Sequence, residues 1–233
     1  MKFFKFFTIF FVFSILPSLE AFEINCQFQS FILGSYGSIY QCISTNIPTL
    51  SEMMVTNITG THYNDNTNVD VEALAIYGNY TLTFFPRGVS NFFINIKMIE
   101  VKNTAIDALF GDEFDEFPKL QFLKFYQTNL TTISSTLFDK TPKMISIRFQ
   151  YNMIEKVGYD LFTPLNITQI KEINFEYNKC INAYSGNALS VLGMFYEIRE
   201  KCPYNDEFST IKPKCRCIYW GRKDNNRKVK EDC

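Results

Sequence analysis

The sequence holds one histidine, His62, and one tryptophan, Trp220, among 233 residues. A nucleophilic triad or a zinc enzyme would have to be built on that single imidazole, and His62 stands in GTHYNDN, a polar stretch whose Asn and Asp residues read as a turn. No nucleophile elbow, HExxH pair or glycine-rich phosphate loop accompanies it, so neither catalysis nor a cofactor is expected. Metal-ligand spacing is missing too. Cys215-Arg-Cys217 is not a zinc half-site of the usual spacing, and the acidic GDEFDEF at 111–117 reads as a loop, not a calcium site, because its Phe residues keep the phase of a pattern described below. Charge of either sign is not in excess: 23 Lys and Arg face 24 Asp and Glu, a net of −1, which argues against a strongly basic nucleic-acid binder, while 46% hydrophobic residues argue against disorder.

Long apolar runs are confined to the beginning. In MKFFKFFTIFFVFSILPSLEAFEINC, Lys2 and Lys5 precede an apolar run from Phe6 to Leu16, followed by the small residues Ser18 and Ala21. That run is too short to span a bilayer and predicts a secretory signal at 1–21, cut near Ala21, with a soluble extracellular mature chain and no membrane span. Export permits disulfides, and all seven cysteines follow the expected cut, leaving one thiol for a free state or another chain. N-x-[ST] triplets at Asn57, Asn79, Asn129 and Asn166 agree with a glycosylating route.

What the chain has in quantity is phenylalanine, 25 residues, and a period of about two dozen. An eleven-position template, apolar at positions 1, 4, 6 and 11 with Asn or Thr at 9, starts at Val71, Ile96, Leu120, Met144 and Ile170. Of the twenty apolar positions only Thr81 fails, where a chain of this composition would fill roughly nine by chance. Position 9 holds Asn79, Thr104, Thr128, Asn152 and Asn178. Past each template the phase continues through Leu109, Ile133 and Val157 and then Phe114, Phe138 and Phe162.

The pattern resembles the leucine-rich-repeat family, L-x-x-L-x-L-x-x-N-x-L, with Phe and Ile standing in for Leu. The resemblance implies an α/β solenoid, a horseshoe with a parallel concave sheet and disulfide-closed caps. Positions 3 to 7 would form the strand, with 4 and 6 inward, and the position-9 side chains would form a structural ladder bonding backbone groups of adjoining coils. Asn79 serves two patterns, buried as a ladder residue and exposed as a sequon. The ladder is expected to prevail, or the first coil to be loosened there, which leaves Asn57, Asn129 and Asn166 as the expected glycosylation sites.

The resemblance further implies an N-terminal cap at 22–70 closed by Cys26 and Cys42, about five repeats over 71–181, and a C-terminal helical cap at 182–203 pinned by Cys180 and Cys202. Leu189, Leu192, Phe195, Tyr196 and Ile198 fall near helical spacing and predict the amphipathic helix of that cap. With the signal, the Phe-rich repeats and ITGTH ahead of them, the chain is similar to small secreted insect, dipteran-type leucine-rich-repeat proteins. The similarity ends at Pro203, and 204–233 is a separate basic, cysteine-containing tail. Its last part, 209–233, carries eight Lys or Arg against three Asp or Glu, with Cys215, Cys217 and Cys233.

Positions 3, 5, 7 and 8 would line the concave face and its rim. Tyr77, Met98, Lys102, Phe122, Lys124, Tyr126, Arg148, Gln150, Tyr151, Asn174 and Tyr177 are therefore the candidate contacts for an extracellular protein ligand, in immune or developmental recognition if the insect similarity holds. The competing expectation is a structural or matrix-associated protein. It would act through its tail, by a disulfide-linked homo- or hetero-oligomer or by an anionic glycan.

Overall fold

The computed structural model describes residues 21–45, 47, 54–79, 81–82 and 84–204. All but Ala21 of the expected signal and all but Tyr204 of the expected tail lie outside them. Strand β1 (Ala21–Asn25) is followed by the hairpin β2 (Gln27–Ile32) and β3 (Ser38–Ser44), and then by β4 (Met54–Thr59), which pairs in parallel with β1. From there every period supplies a template strand, and three of the periods supply a second, shorter one. The template strands are β5 (Ala73–Tyr77), β6 (Met98–Lys102), β8 (Phe122–Tyr126), β10 (Ser146–Arg148) and β12 (Glu172–Asn174). Between them come β7 (Ala108–Leu109), β9 (Thr132–Ile133) and β11 (Lys156–Gly158). The described chain closes with β13 (Tyr184–Ser185), helix α1 (Ala188–Lys201) and β14 (Pro203–Tyr204).

The molecule is thus mostly sheet, largely parallel, with one α-helix among the described residues. The larger sheet has eight strands in the order β13-β12-β10-β8-β6-β5-β3-β2, parallel from β3 to β12 and antiparallel at both ends. Its register aligns the position-4 residues: Leu74 beside Ile99, then Leu123, Ile147 and Ile173, all buried. Strand alternation then puts Ile76, Val101, Phe125, Phe149 and Phe175 on the same inner face. The three phenylalanines pack in file, with ring centroids 5.8 Å and then 5.2 Å apart.

The sequence pattern indicates apolar contacts at Leu109, Ile133 and Val157. The structure makes them a second parallel sheet, in the order β14-β11-β9-β7, with Leu109 paired to Ile133 and Ile133 to Val157. Phe114, Phe138 and Phe162 are buried between the sheets' segments, and Phe114 reaches Phe125 at 6.1 Å. From β6 to β12 the chain passes from one sheet to the other and back with each period.

After the last four template strands the backbone enters the left-handed region at position 8: Asn103, Gln127, Tyr151 and Tyr177 have φ of 55°, 54°, 58° and 58°. That turn swings position 9 inward. Asn152 Nδ2 donates to Phe125 O at 2.9 Å and Phe149 O at 3.0 Å, while its Oδ1 accepts from Thr128 N at 2.7 Å and from Thr128 Oγ1 at 2.9 Å. Asn178 repeats the arrangement one period on, donating to Phe149 O and Phe175 O and accepting from Ile154 N. Thr104 Oγ1 donates to Gly78 O at 2.9 Å.

Asn79 departs from this pattern, and the expectation of a buried ladder residue there is corrected: it is exposed. Its position-8 neighbour, Gly78, has φ 152° in place of the left-handed turn of the later periods, so the chain does not swing the side chain inward.

Both expected disulfides are formed, Cys26–Cys42 and Cys180–Cys202, with Cα separations of 5.0 and 5.2 Å. The second closes a span of 22 residues and holds α1 against the end of the sheets; the carbonyl of the buried Cys202 accepts from Val157 N at 3.0 Å. Replacing Cys180 and Cys202 together by Ser should cost about 3 kcal/mol in reversible urea unfolding, from the restored loop entropy of the unfolded chain. A loss under about 1 kcal/mol would show that α1 is held by packing alone.

The phase expected for that helix is half right. Phe195 and Ile198 are buried, but their partners are Val191 and Met194, while Leu189 (91% exposed), Leu192 and Tyr196 face solvent. Phe195 stacks on Phe162 at 4.1 Å, which fixes the inward side. Asn187 caps the helix start by accepting from Ser190 N.

Candidate functional site

The face of the eight-stranded sheet opposite the core carries positions 3, 5 and 7, as strand alternation requires. Its cations are not bare. Lys124 Nζ lies 2.6 Å from Glu100 Oε1 in the neighbouring strand, and Arg148 Nε and Nη2 lie 2.8 and 2.6 Å from Glu172 Oε2 in the next pair. Tyr77 OH donates to Glu100 Oε2, and Ser146 Oγ donates to Glu172 Oε2. Burial and the adjacent Glu100 carboxylate push the Tyr77 phenol well above its ordinary range. Glu100 so gathers donors from the strands on both sides and Glu172 gathers two residues of β10, and the half-buried pairs hold the long side chains in place. Lys102 and Lys124 both approach the Tyr126 ring, at 5.5 and 5.7 Å.

The expected exposed anchor at Phe122 is corrected. It is 8% exposed, because Tyr36 packs edge-on against it with ring centroids 4.8 Å apart. Tyr36 sits at the tip of the β2–β3 hairpin, where Gly34 (φ 50°) and Gly37 (φ 91°) permit the tight reversal of LGSYGS. That tip reaches over the sheet face and, with Tyr184 of β13, bounds a groove of about 390 Å³. Its floor and walls include Met98, Phe122, Lys124, Ser146, Arg148 and Glu172. Of the expected contacts, Met98, Phe122, Lys124 and Arg148 are brought together there. Tyr36, Lys171 and Tyr184 were not anticipated, while Glu172 is a position-3 residue of the expected face; two glycines flanking Ser-Tyr between apolar strands were the available signal for the tip.

Other expected contacts form a rim. Tyr126, Tyr151 and Tyr177 make a file of rings, 5.1 Å from the first to the second and 4.3 Å, nearly parallel, from the second to the third. Tyr151 and Tyr177 owe their outward position to the left-handed turn at position 8. Asn174 is buried, not presented: it donates to Glu176 Oε2 and accepts from Glu176 N. Gln150 Oε1 is enclosed with no donor among the described residues.

His62 is occupied structurally. Its ring stacks on Phe28 at 3.8 Å, Nε2 donates to Asn68 Oδ1 at 3.0 Å, and Nδ1 lies 2.9 Å from Tyr40 OH. In the acidic loop, Glu113 is turned inward, its carboxylate accepting from Phe110 N and Gly111 N, and burial pushes its pKa up. No cluster that could hold a metal ion occurs among the described residues. Asn57, Asn129 and Asn166 are all exposed, Asn57 donating to Glu23 and Asn166 capping a short turn through Thr168. No helix among the described residues is long and apolar enough to cross a membrane. No known protein-family model matches the chain, and a search of curated proteins finds no match.

Proposed function

We propose that this chain is a secreted, non-enzymatic recognition protein that takes a protein partner into the groove under the β2–β3 tip. The observation that carries the reading is that groove: it is lined by the aromatic Tyr36 and Tyr184 and by Arg148, half-exposed in its ion pair with Glu172. Aromatic and Arg side chains are the groups that supply most of the energy in protein interfaces. The alternation between two parallel sheets, the ladder and the position-8 turn support reading the molecule as a leucine-rich-repeat solenoid, and the small secreted insect type rests on the sequence resemblance alone. Two disulfides and exposed sequon asparagines, Asn79 now among them, agree with an extracellular glycoprotein.

The test is capture of extracellular proteins on the immobilised protein, wild type against Tyr36→Ala, Arg148→Ala and Tyr184→Ala combined. The triple variant should retain the wild-type thermal melt and lose partner binding at least about tenfold, since each anchor contributes on the order of 1 kcal/mol or more. Equal capture by both proteins sinks the groove. The net +5 of residues 209–233 and the odd cysteine count favour a second reading, assembly or glycan attachment through the tail. Retention on heparin resin, or a dimer band that persists only on non-reducing gels, would support it against the groove.

A further inference from the structure

The edges of the sheets are guarded unequally. β13 is two residues long and packs against α1; β7 and β14, at the ends of the second sheet, are also two residues long; β1 carries Glu23 and an irregular register beside it. Edge strands in native proteins are kept from pairing by such shortness, bulges, charge or cover. β2 is neither short, bulged nor charged, and what covers it lies on one face, where His62 stacks on Phe28 and Tyr63 OH donates to Ser30 Oγ, and not on its edge. It runs six residues, QFQSFI, without charge, proline or break in register against β3, and Ile32 at its end is 79% exposed.

The direction of its backbone groups follows from the hairpin. Leu33 N donates to Gly37 O, so residues 33 and 37 form a hydrogen-bonded pair, and alternation along an antiparallel ladder makes Phe31, Gln29 and Gln27 the others that face β3. Phe28, Ser30 and Ile32 therefore turn their N–H and C=O groups to the open edge. Cys26, of the same parity, shows the direction: its N–H leaves the hairpin and reaches Thr59 O at 2.8 Å. No donor or acceptor of the described residues meets the other three.

From this edge we infer that β2 joins β2 of a second copy of the chain, antiparallel about a two-fold axis at Ser30, making one continuous sheet across two molecules. Ser30 would exchange both backbone bonds with Ser30 of the copy, and Phe28 would do so with Ile32, about six hydrogen bonds in all. The segment suits its own copy: with no charge on the strand, like never meets like, Phe28 opposes the β-branched Ile32, and Gln29 opposes Phe31 on the other face. A partner of other sequence gains nothing from that palindromic match. The inference is independent of the groove and of the tail.

The test uses the disulfide-intact protein in sedimentation equilibrium at on the order of 10–100 µM, the range in which a small strand-only interface assembles. Wild type should run at twice the mass of one chain, and Ser30→Lys or Ser30→Asp, each placing like charges across the axis, at the mass of one. Mixed in equal amounts, the two variants should return to the double mass. Hydrogen exchange gives a second readout: the amides of Phe28, Ser30 and Ile32 should be protected in wild type and not in either variant, with unchanged protection in β8. A wild type that stays at single mass overturns the inference. So does a dimer that survives both substitutions, or one that persists in detergent without reductant, which would be a disulfide dimer.

Discussion

Asn152→Leu should lower the stability of the disulfide-intact protein by about 4 kcal/mol in urea unfolding, although the two side chains differ little in size and the new one is apolar in an apolar place. The loss arises from what the amide serves. Phe125 O, Phe149 O and Thr128 N are backbone groups inside the fold, and Asn152 is a partner to each. Leaving a buried donor or acceptor without a partner costs about 1–3 kcal/mol, and two are stranded at once, Phe125 O and Thr128 N, while Phe149 O keeps the Asn178 amide. Asn152→Asp should be no better, because the carboxylate keeps the acceptor toward Thr128 but sets an anion against two carbonyl oxygens. Thr128→Val removes only the hydroxyl donated to Asn152 Oδ1 and should cost about 1 kcal/mol. Asn79→Leu, at the same template position but exposed, should stay within about 0.5 kcal/mol of wild type. If Asn152→Leu and Asn79→Leu prove equally mild, the ladder has no energetic meaning in this protein.

The contrast between Asn152 and Asn79 also marks the limit of what could be read from the sequence. The apolar periodicity sufficed for the register of five strands, because the inward positions of every strand obey the same alternation whatever surrounds them. Features set by one segment lying across another were not legible. Phe122 is outward by alternation, yet it is covered by Tyr36 from a hairpin far earlier in the chain. Lys124 and Arg148 read as contacts for a partner from their own strands, and only the strand-to-strand register brings Glu100 and Glu172 beside them. The helix phase failed for a related reason: two apolar stripes run along Ala188–Lys201, and the stacking of Phe195 on Phe162 selects the one containing Val191 and Met194 over the one with the larger leucines. The second sheet was foreshadowed by Leu109, Ile133 and Val157, but two-residue strands leave too short a pattern to tell pairing from contact.

Phe149→Ala should cost about 4 kcal/mol, the range for emptying a fully buried aromatic site. Phe149 lies between Phe125 and Phe175 in the file of rings, with no solvent exposure, and the positions around it are fixed by backbone pairing on both sides. Such a frame cannot collapse into the void as a loosely held side chain could, so the cavity term is retained nearly in full. Phe149→Leu keeps much of the apolar volume but not the ring contacts, and should recover roughly half of the loss. Combining Phe149→Ala with Asn152→Leu should give less than the sum of the two, because Asn152 Nδ2 bonds the Phe149 carbonyl and a backbone already shifted by the first change has less left to lose from the second. Strict additivity in that double-mutant cycle would mean that the ring file and the amide ladder stabilise the sheet separately. A coupling of about 1 kcal/mol or more would mean that they hold one and the same stretch of chain.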